Sequence, residues 1–339
     1  MSMSARSLCV LLLVRIEHLF VIAMCHGTCV LECRVALTQC LRRCYPTITL
    51  IPIKAANMKS TPRIWFVTGA SKGVGQKLVK HLLEQGHRVA ATSRTATALT
   101  QVFGQPSDSF LPLEVDLTDD RSVEQAIGQT VRTFQGIDVV VNNAGYAQQG
   151  TIEALSDKEL RQNFEVNFFA PVIVLRHALS HLRAQRSGHI INIASIVGYQ
   201  GGYAGWGSYV ASKFALAGLT ESLAAEIAEL GIHATVVYPG PVRTDFLSSG
   251  ALAVAKRQID DYAEAKASLD LHLDTLHGHQ AGDPDKLALL IIQAASVERP
   301  PLHLFAGKIA NELAIAKSSA VEKDLTAWKG SSEATDFED

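Results

Sequence analysis

A glycine-rich turn narrows the folds open to this chain more than anything else in it. The segment Thr68-Gly69-Ala70-Ser71-Lys72-Gly73-Val74-Gly75 joins a short apolar run, Ile64–Thr68, to a stretch with helical spacing, Val74–Gln85. Gly69 permits a tight turn. Gly73 lets backbone approach a pyrophosphate, whose charge is favoured at a helix N-terminus. Gly75 allows close packing of helix on sheet. Three glycines alone also make ordinary turns. The strand–turn–helix setting is what points to a nucleotide phosphate.

The rest of the chain keeps the same rhythm. Runs at Arg88–Ser93, Phe110–Val115, Ile137–Val141, His189–Ile193, His233–Val237 and Leu302–Phe305 read as strands. Helical stretches fall between them at Asp119–Phe134, Asp157–Arg183 and Tyr209–Leu230. Alternating elements with strands apolar throughout predict a parallel sheet covered on both faces. With right-handed crossovers this is an α/β fold, a single doubly wound, Rossmann-like sheet with helices on both faces. The segment Thr244–Asp283 breaks the rhythm and reads as a loop over a ligand at the carboxyl edge, and Gly330–Asp339 reads as a loose end.

The chain has 339 residues and a formal net charge of −2, which argues against nucleic acid or an acidic membrane surface as a main partner. All six cysteines, Cys9, Cys25, Cys29, Cys33, Cys40 and Cys44, precede Tyr45. The remainder needs no disulfide and suits a reducing compartment, so a cytoplasmic location is expected. The cysteine spacing lacks the paired short gaps of common zinc sites, and no metal site is expected. The apolar run Leu8–Met24 is interrupted by Arg15, Glu17 and His18. Its apolar residues contribute about −0.3 to −0.6 kcal/mol each to insertion, whereas Arg15 alone opposes with about +2.5 to +3.5, so the sum is near zero. A signal peptide is the other reading, with Arg6 before Leu8–Val14, but no good small-residue cleavage site follows. Residues 1–57 are therefore expected to lie outside the working fold, which would begin near Met58 and run through residue 339.

Further motifs follow in order. Asn142-Asn143-Ala144-Gly145 ends the fourth strand. Asn167 lies in the long helical stretch, Ser195 follows the strand that ends near Ala194, and Tyr209-Val210-Ala211-Ser212-Lys213 opens a helix. Tyr238-Pro239-Gly240-Pro241-Val242-Arg243-Thr244 precedes the inserted loop. With the Thr-Gly-x3-Gly-x-Gly turn, this set resembles the short-chain dehydrogenase/reductase family over about Arg63 to Phe305. The resemblance implies hydride transfer with a nicotinamide cofactor. It implies contacts from Gly69, Ser71, Lys72, Gly73, Val74, Gly75, Asp116, Leu117, Asn143, Ala144, Gly145, Pro239, Gly240, Val242 and Thr244, with Tyr209 and Lys213 also at the cofactor. It implies catalytic roles for Asn167, Ser195, Tyr209 and Lys213. In the family the helix that carries Leu216, Leu219 and Leu223 often joins subunits, so the resemblance implies a homodimer or homotetramer. The Ser195–Tyr209 interval is one residue longer than the family's commonest spacing, and Gly198, Gly201, Gly202, Gly205 and Gly207 lie within it.

Cofactor choice turns on the second strand. NAD-using enzymes carry an acid at its tip, NADP-using ones a nearby Arg. Here the strand ends Ala91-Thr92-Ser93-Arg94, and Lys72 sits inside the glycine turn, so NADP(H) is expected. Arg94 can form a bidentate fork on a 2′-phosphate. Asp116 is expected at the adenine, or else as a helix N-cap.

Proton transfer to a substrate oxygen needs a placed acid/base. Tyr209 and Lys213 are four apart on a helix and share a face. A free tyrosine has a pKa of about 10, and a neighbouring ammonium favours the phenolate. Tyr209 is thus the expected general acid/base, and Ser195 the group that holds the substrate oxygen. By resemblance Lys213 also bonds the nicotinamide ribose, and Asn167 supports a water relay to it. Tyr199 and Tyr203 have no lysine four residues on. The leading reading is a reductase acting on a small carbonyl/secondary-alcohol pair. The alternatives are a 3-oxoacyl-thioester reductase and an NADP(H)-sensing protein without chemistry.

Overall fold

The computed structural model describes residues 12–16, 19–23, 62–247 and 250–337. The chain divides into two units, Met1–Lys59 and Ser60–Asp339. In the first, Leu12–Ile16 pairs antiparallel with Leu19–Ala23. All six cysteines, and with them the metal question at the N-terminus, lie outside the described residues. No described helix is long and apolar enough to cross a membrane.

The second unit is built on seven parallel strands. In chain order its elements are β1 (Ile64–Val67), α1 (Gly73–Glu84), β2 (Arg88–Ser93), α2 (Ala96–Phe103), β3 (Phe110–Glu114), α3 (Asp120–Phe134), β4 (Val139–Asn142), a short β5 (Ala147–Gln149), α4 (Asp157–Phe164), α5 (Ala170–Gln185), β6 (Gly188–Ile193), α6 (Gly207–Ile227), β7 (Ile232–Pro239), a short β8 (Leu252–Val254), α7 (Ala263–Asp270), α8 (Pro284–Ser296), β9 (His303–Ala306) and α9 (Lys308–Glu333). The sheet order is β9–β7–β6–β4–β1–β2–β3, while β5 and β8 pair separately.

Alternation along each strand explains the two covered faces. Trp65, Val67, Val139 and Val141 point to one side, where Leu78, Val79 and Leu82 of α1 pack with Leu287, Ile291 and Ile292 of α8. Phe66 and Val140 point to the other, against Val123 and Ile127 of α3, Val174 and Leu182 of α5, and Leu223 of α6. Every residue of β4 is buried, as the continuous apolar run predicts. From β1 the chain winds one way to β2 and β3, and from β4 the other way. The reversal lies between β1 and β4, where such sheets open a crevice at their carboxyl ends.

Three expectations need correction. The stretch Asp157–Arg183 is not one uniform helix, because Glu165–Phe169 is wound as a π-helical turn around Asn167. The helix that begins after Asp119 is capped by Asp119 itself, whose carboxylate accepts from the Arg121 N–H, not by Asp116. Gly330 is no loose end, since α9 runs through it to Glu333, with Lys329 and Glu333 paired four apart.

Candidate active site

The glycine turn after β1 and the Asn143–Gly145 loop after β4 meet across the crevice. Gly69 adopts φ +65°, and a Cβ there would lie 2.8 Å from Ala144 Cα. A Cβ on Gly75 would lie 2.5 Å from both the Gly69 oxygen and Asn143 Nδ2. Neither position has room for a side chain. The Thr68 hydroxyl accepts from the N–H groups of Asn143 (2.9 Å) and Ala144 (3.1 Å). Asn143 Nδ2 donates to the carbonyls of Thr68 and Gly69. Asn143, expected at the cofactor, thus has its side chain clamping the two loops together. Lys72, the residue before α1, makes no side-chain cap, so the first N–H groups of the helix have no side-chain acceptor at its head.

The flanking residues fall around this crevice. Ser71 and Val74 are half-buried beside the turn, and Thr244 faces Gly73, its Cβ 3.8 Å from where a Gly73 Cβ would stand. Pro239 ends β7, the Gly240 N–H donates to the Ala306 carbonyl, and Val242 bridges to Gly282. Arg94 is exposed just past β2, and Lys72 is exposed in the turn. Glu114 at the end of β3 accepts from the Ala96 N–H at the start of α2. Asp116 accepts from the hydroxyl (2.7 Å) and N–H (2.9 Å) of Thr118, which hold its carboxyl below the usual range. Leu117 packs on the core next to α3.

The four predicted polar residues converge deeper in. Tyr209 is buried in the first turn of α6, its phenol hydrogen-bonded to Ser195 at the end of β6. The longer interval between them is taken up by a 3-10 turn, Ile196–Gly198, and a glycine-rich loop. Gly198 is required there, since a Cβ would sit 2.7 Å from the Lys213 carbonyl oxygen. Lys213 Nζ lies 6.0 Å from the centroid of the Tyr209 ring and donates to the Ile193 carbonyl at 2.8 Å. Asn167 Oδ1 accepts from the Tyr146 N–H, and its Nδ2 donates to the Tyr146 carbonyl and to Ser212 Oγ. A Cβ on Gly145 would stand 3.0 Å from Asn167 Oδ1 and 3.4 Å from Lys213 Nζ, so these two groups share the space that the missing side chain leaves. The π-helical turn adds one residue per turn at Asn167, a distortion common at functional sites.

The electrostatics differ in sign from expectation. Burial pushes the Tyr209 phenol up to about 12, with the Ser195 hydrogen bond drawing it the other way. The ammonium expected to lower it is directed at a backbone carbonyl, and burial lowers Lys213 itself to about 8. Desolvation therefore outweighs the local cation, and the phenol is held protonated.

Around Tyr209 the packing is apolar: Ala147, Trp206, Phe246, Leu247 and Leu252. Trp206 was not singled out from the sequence. It lies three residues before Tyr209, and its indole N–H donates to Ser268 of α7 at 3.0 Å, with the His272 ring 4.6 Å away and tilted by 44°. Its helical spacing from Tyr209 was the available signal. Tyr199 is set apart, with its ring against Tyr238 and Phe305. Among the described residues no group of three or more His, Cys, Asp or Glu side chains is placed to hold a metal.

The family profile of short chain dehydrogenases matches residues 63–252. The chain belongs to the short-chain dehydrogenase family. It is an oxidoreductase of that family, 32% identical over 79% of its length to the oxidoreductase BOA17 of Botryotinia fuckeliana, 97% of which is matched. Among solved structures, a short-chain dehydrogenase from Streptomyces avermitilis is similar at 33% identity and a TM-score of 0.75, over 82% of this chain and 100% of that one. ElxO with NADP bound is similar at 25% identity and a TM-score of 0.60, over 73% of this chain and 97% of that one. The short-chain dehydrogenase match spans the glycine turn, Asn167, Ser195, Tyr209, Lys213 and the start of the loop that follows Thr244.

Proposed function

We propose that this dehydrogenase interconverts a small carbonyl compound and its secondary alcohol with NADP(H). One observation carries the reading: a protonated phenol, Tyr209, hydrogen-bonded to Ser195 and backed by Lys213, at the carboxyl ends of the strands where the sheet order reverses. The residues fit a dinucleotide. Gly69 and Gly75 let the turn pack closely on the Asn143–Gly145 loop, and the head of α1 presents N–H groups without a side-chain cap to a phosphate. When bound, the nicotinamide gives or takes the hydride.

The chain's own residues handle the proton. Ser195 Oγ and Tyr209 Oη together hold the substrate oxygen, and Tyr209 gives its proton as that oxygen becomes an alcohol. A phenol held at about 12 carries its proton at neutral pH, as the acid in reduction must, and the Lys213 charge offsets the weaker acidity that burial brings. In oxidation the same phenol must first lose its proton, and Lys213 supplies the positive charge that favours this. Asn167 is a positioning residue, tied to Tyr146 and Ser212, that keeps a polar path toward Lys213. Gly73, Val74, Ala144, Gly145 and the Pro239–Thr244 segment would line the cofactor.

The choice of NADP(H) rests on Arg94 and Lys72, two exposed cations around the tip of β2, which itself ends without an acid, while the neighbouring Glu114 of β3 is engaged by the Ala96 N–H. The similarity to ElxO, whose structure holds NADP, supports a nicotinamide dinucleotide. The working fold on this reading is the unit from about Met58 onward, in the cytoplasm and as a homo-oligomer. The test is a panel of ketones and secondary alcohols with NADPH and NADH side by side, followed at 340 nm. Turnover with NADPH preferred over NADH is expected. Saturable NADPH binding with no turnover of any member would instead favour a cofactor-sensing protein.

A further inference from the structure

Next to the proposed site the fold buries an acceptor that nothing satisfies. Gln149 is 3% exposed, and its Oε1 has no hydrogen-bond partner. Its Nε2 donates to the Ala265 carbonyl of α7 at 3.3 Å. Above it, Gly205 takes φ +78°, and a Cβ there would lie 2.8 Å from Gln149 Nε2 and 3.0 Å from Ala265 Cβ. The amide thus sits under the loop that leads into Trp206 and under the helix that Trp206 holds through Ser268.

Its place on β5 ties it to the reacting centre. Ala147 packs with Trp206 and Tyr209, and Gln149 lies two residues further on the same face of the strand. That is roughly 7 Å beyond the contact with Tyr209. The Ala147, Trp206, Phe246, Leu247 and Leu252 side chains packed with Tyr209 give this side of it an apolar surface that can hold a ketone by shape. The Gln149 amide carbonyl, buried and without a donor, adds a polar requirement next to this apolar surface. Buried acceptors are almost always paired, and a site built around one rejects molecules that leave it empty.

We propose that Gln149 is a specificity residue that accepts a hydrogen bond from a hydroxyl or N–H of the substrate, so that the preferred substrate is an apolar carbonyl compound with a donor group roughly 7 Å from its reacting oxygen. This rests on the carbonyl-reductase reading. The donor would complete the amide: Nε2 to the Ala265 carbonyl on one side, substrate to Oε1 on the other.

The test uses the full chain with NADPH and a panel of cyclic and aryl ketones. Each ketone is supplied bare, with a distal hydroxyl and with that hydroxyl methylated; 1-tetralone, 6-hydroxy-1-tetralone and 6-methoxy-1-tetralone form one such set. The hydroxylated members are expected to have kcat/KM at least about tenfold above both partners, expressed mainly in KM. Gln149→Met, which fills the same volume without an acceptor, is expected to erase that preference while leaving turnover of the bare ketones within about threefold. Gln149→Glu keeps an acceptor but loses the donor to Ala265, and is expected to retain the preference. NADPH binding, followed by its fluorescence, checks that both variants fold. If Gln149 only props α7, Gln149→Met and Gln149→Glu will lower all three members of a set alike, and the inference is wrong. It is equally wrong if the wild-type protein turns over bare and hydroxylated ketones with the same kcat/KM, an outcome that leaves the reductase reading intact. Turnover of no ketone in the panel removes both.

Discussion

The two edges of the central sheet bury ionisable groups to a similar depth and use them in opposite ways. At the carboxyl edge Tyr209 and Lys213 are buried, as are His87 and His189 at the amino edge. The amino-edge groups are stapled to the backbone. His189 Nε2 meets Thr235 Oγ1 at 2.8 Å, and that hydroxyl donates to the Pro301 carbonyl. His87 Nδ1 accepts from the Arg63 N–H, while Asp138 accepts from the Ile64 N–H. Arg63 itself reaches the carbonyls of Ala295 and Asp138. These contacts tie together the starts of β1, β4, β6 and β7. At the carboxyl edge Lys213 instead lies against Gly145, in the loop that Gly69 and Gly75 let pack closely on the glycine turn. A shifted pKa therefore does not mark a site by itself. What marks it is a shifted group at the carboxyl ends of the strands, beside the point where the sheet order reverses.

The largest expected effect falls on the group that moves a proton. Tyr209→Phe keeps the ring against Phe246 and removes only the hydroxyl. Turnover should fall by about a thousandfold, within the range for loss of a placed acid/base, and NADPH binding should stay within about twofold. The matching change at the amino edge, Thr235→Val, should lower stability by about 1–3 kcal/mol and leave kcat unchanged. Equal losses of turnover in both variants would erase the contrast between the edges.

The second effect concerns the close packing of the two loops at the carboxyl edge. Gly75→Ala drives a Cβ to 2.5 Å from the Gly69 oxygen, so the turn must shift. Overpacking of this kind costs about 1–3 kcal/mol, and NADPH affinity should fall on the order of tenfold to a hundredfold. Gly188→Ala, whose new Cβ would meet Leu182 Cδ2 at 2.6 Å, tests the other edge. There the loss should appear in the melting temperature and not in NADPH titration.

Much of the carboxyl edge was legible in the sequence because its requirements are local. A residue such as Gly75 is needed for one contact, and Tyr209 and Lys213 are four apart on one helix. The β5–β8 pair was not legible, because Ala147–Gln149 and Leu252–Val254 are short and joined only by tertiary pairing. Helix α9 escaped notice because so little of it is buried, chiefly Ala310 and Ala314, and its apolar spacing is weak. The π-helical turn at Asn167 depends on contacts to Tyr146 and Ser212, which no spacing rule contains. The sign of the Tyr209 shift was also out of reach, since sequence gives the partner but not the burial.

A third, smaller effect sharpens the choice of cofactor. Arg94 is exposed, so removing it should disturb little but the ligand. Arg94→Ala should raise the KM for NADPH by about tenfold, the scale of one charge-assisted contact, and that for NADH by less than about twofold. Equal changes for both would detach Arg94 from the 2′-phosphate and leave the crevice itself unaffected.

The smallest effect belongs to the amino edge and is read as stability against pH. Burial, with Arg63 and His233 nearby, lowers His189 to about 3. In the unfolded chain a histidine titrates near 6.5. Above that value both states are neutral and the group has no influence. As pH falls below it, the unfolded chain takes up a proton that the folded one refuses, so stability is lost from about pH 6.5 downward toward 3. Between pH 7 and pH 5.5 the loss through this one residue should be about 1 kcal/mol. Urea unfolding at the two pH values measures it, and His189→Gln, whose amide can still donate to Thr235, is the control. The wild-type protein should lose about 1 kcal/mol more than the variant over that interval. Identical losses would mean that the imidazole gains a proton in the folded protein, and hence that the amino edge opens to water as readily as the edge that carries Tyr209.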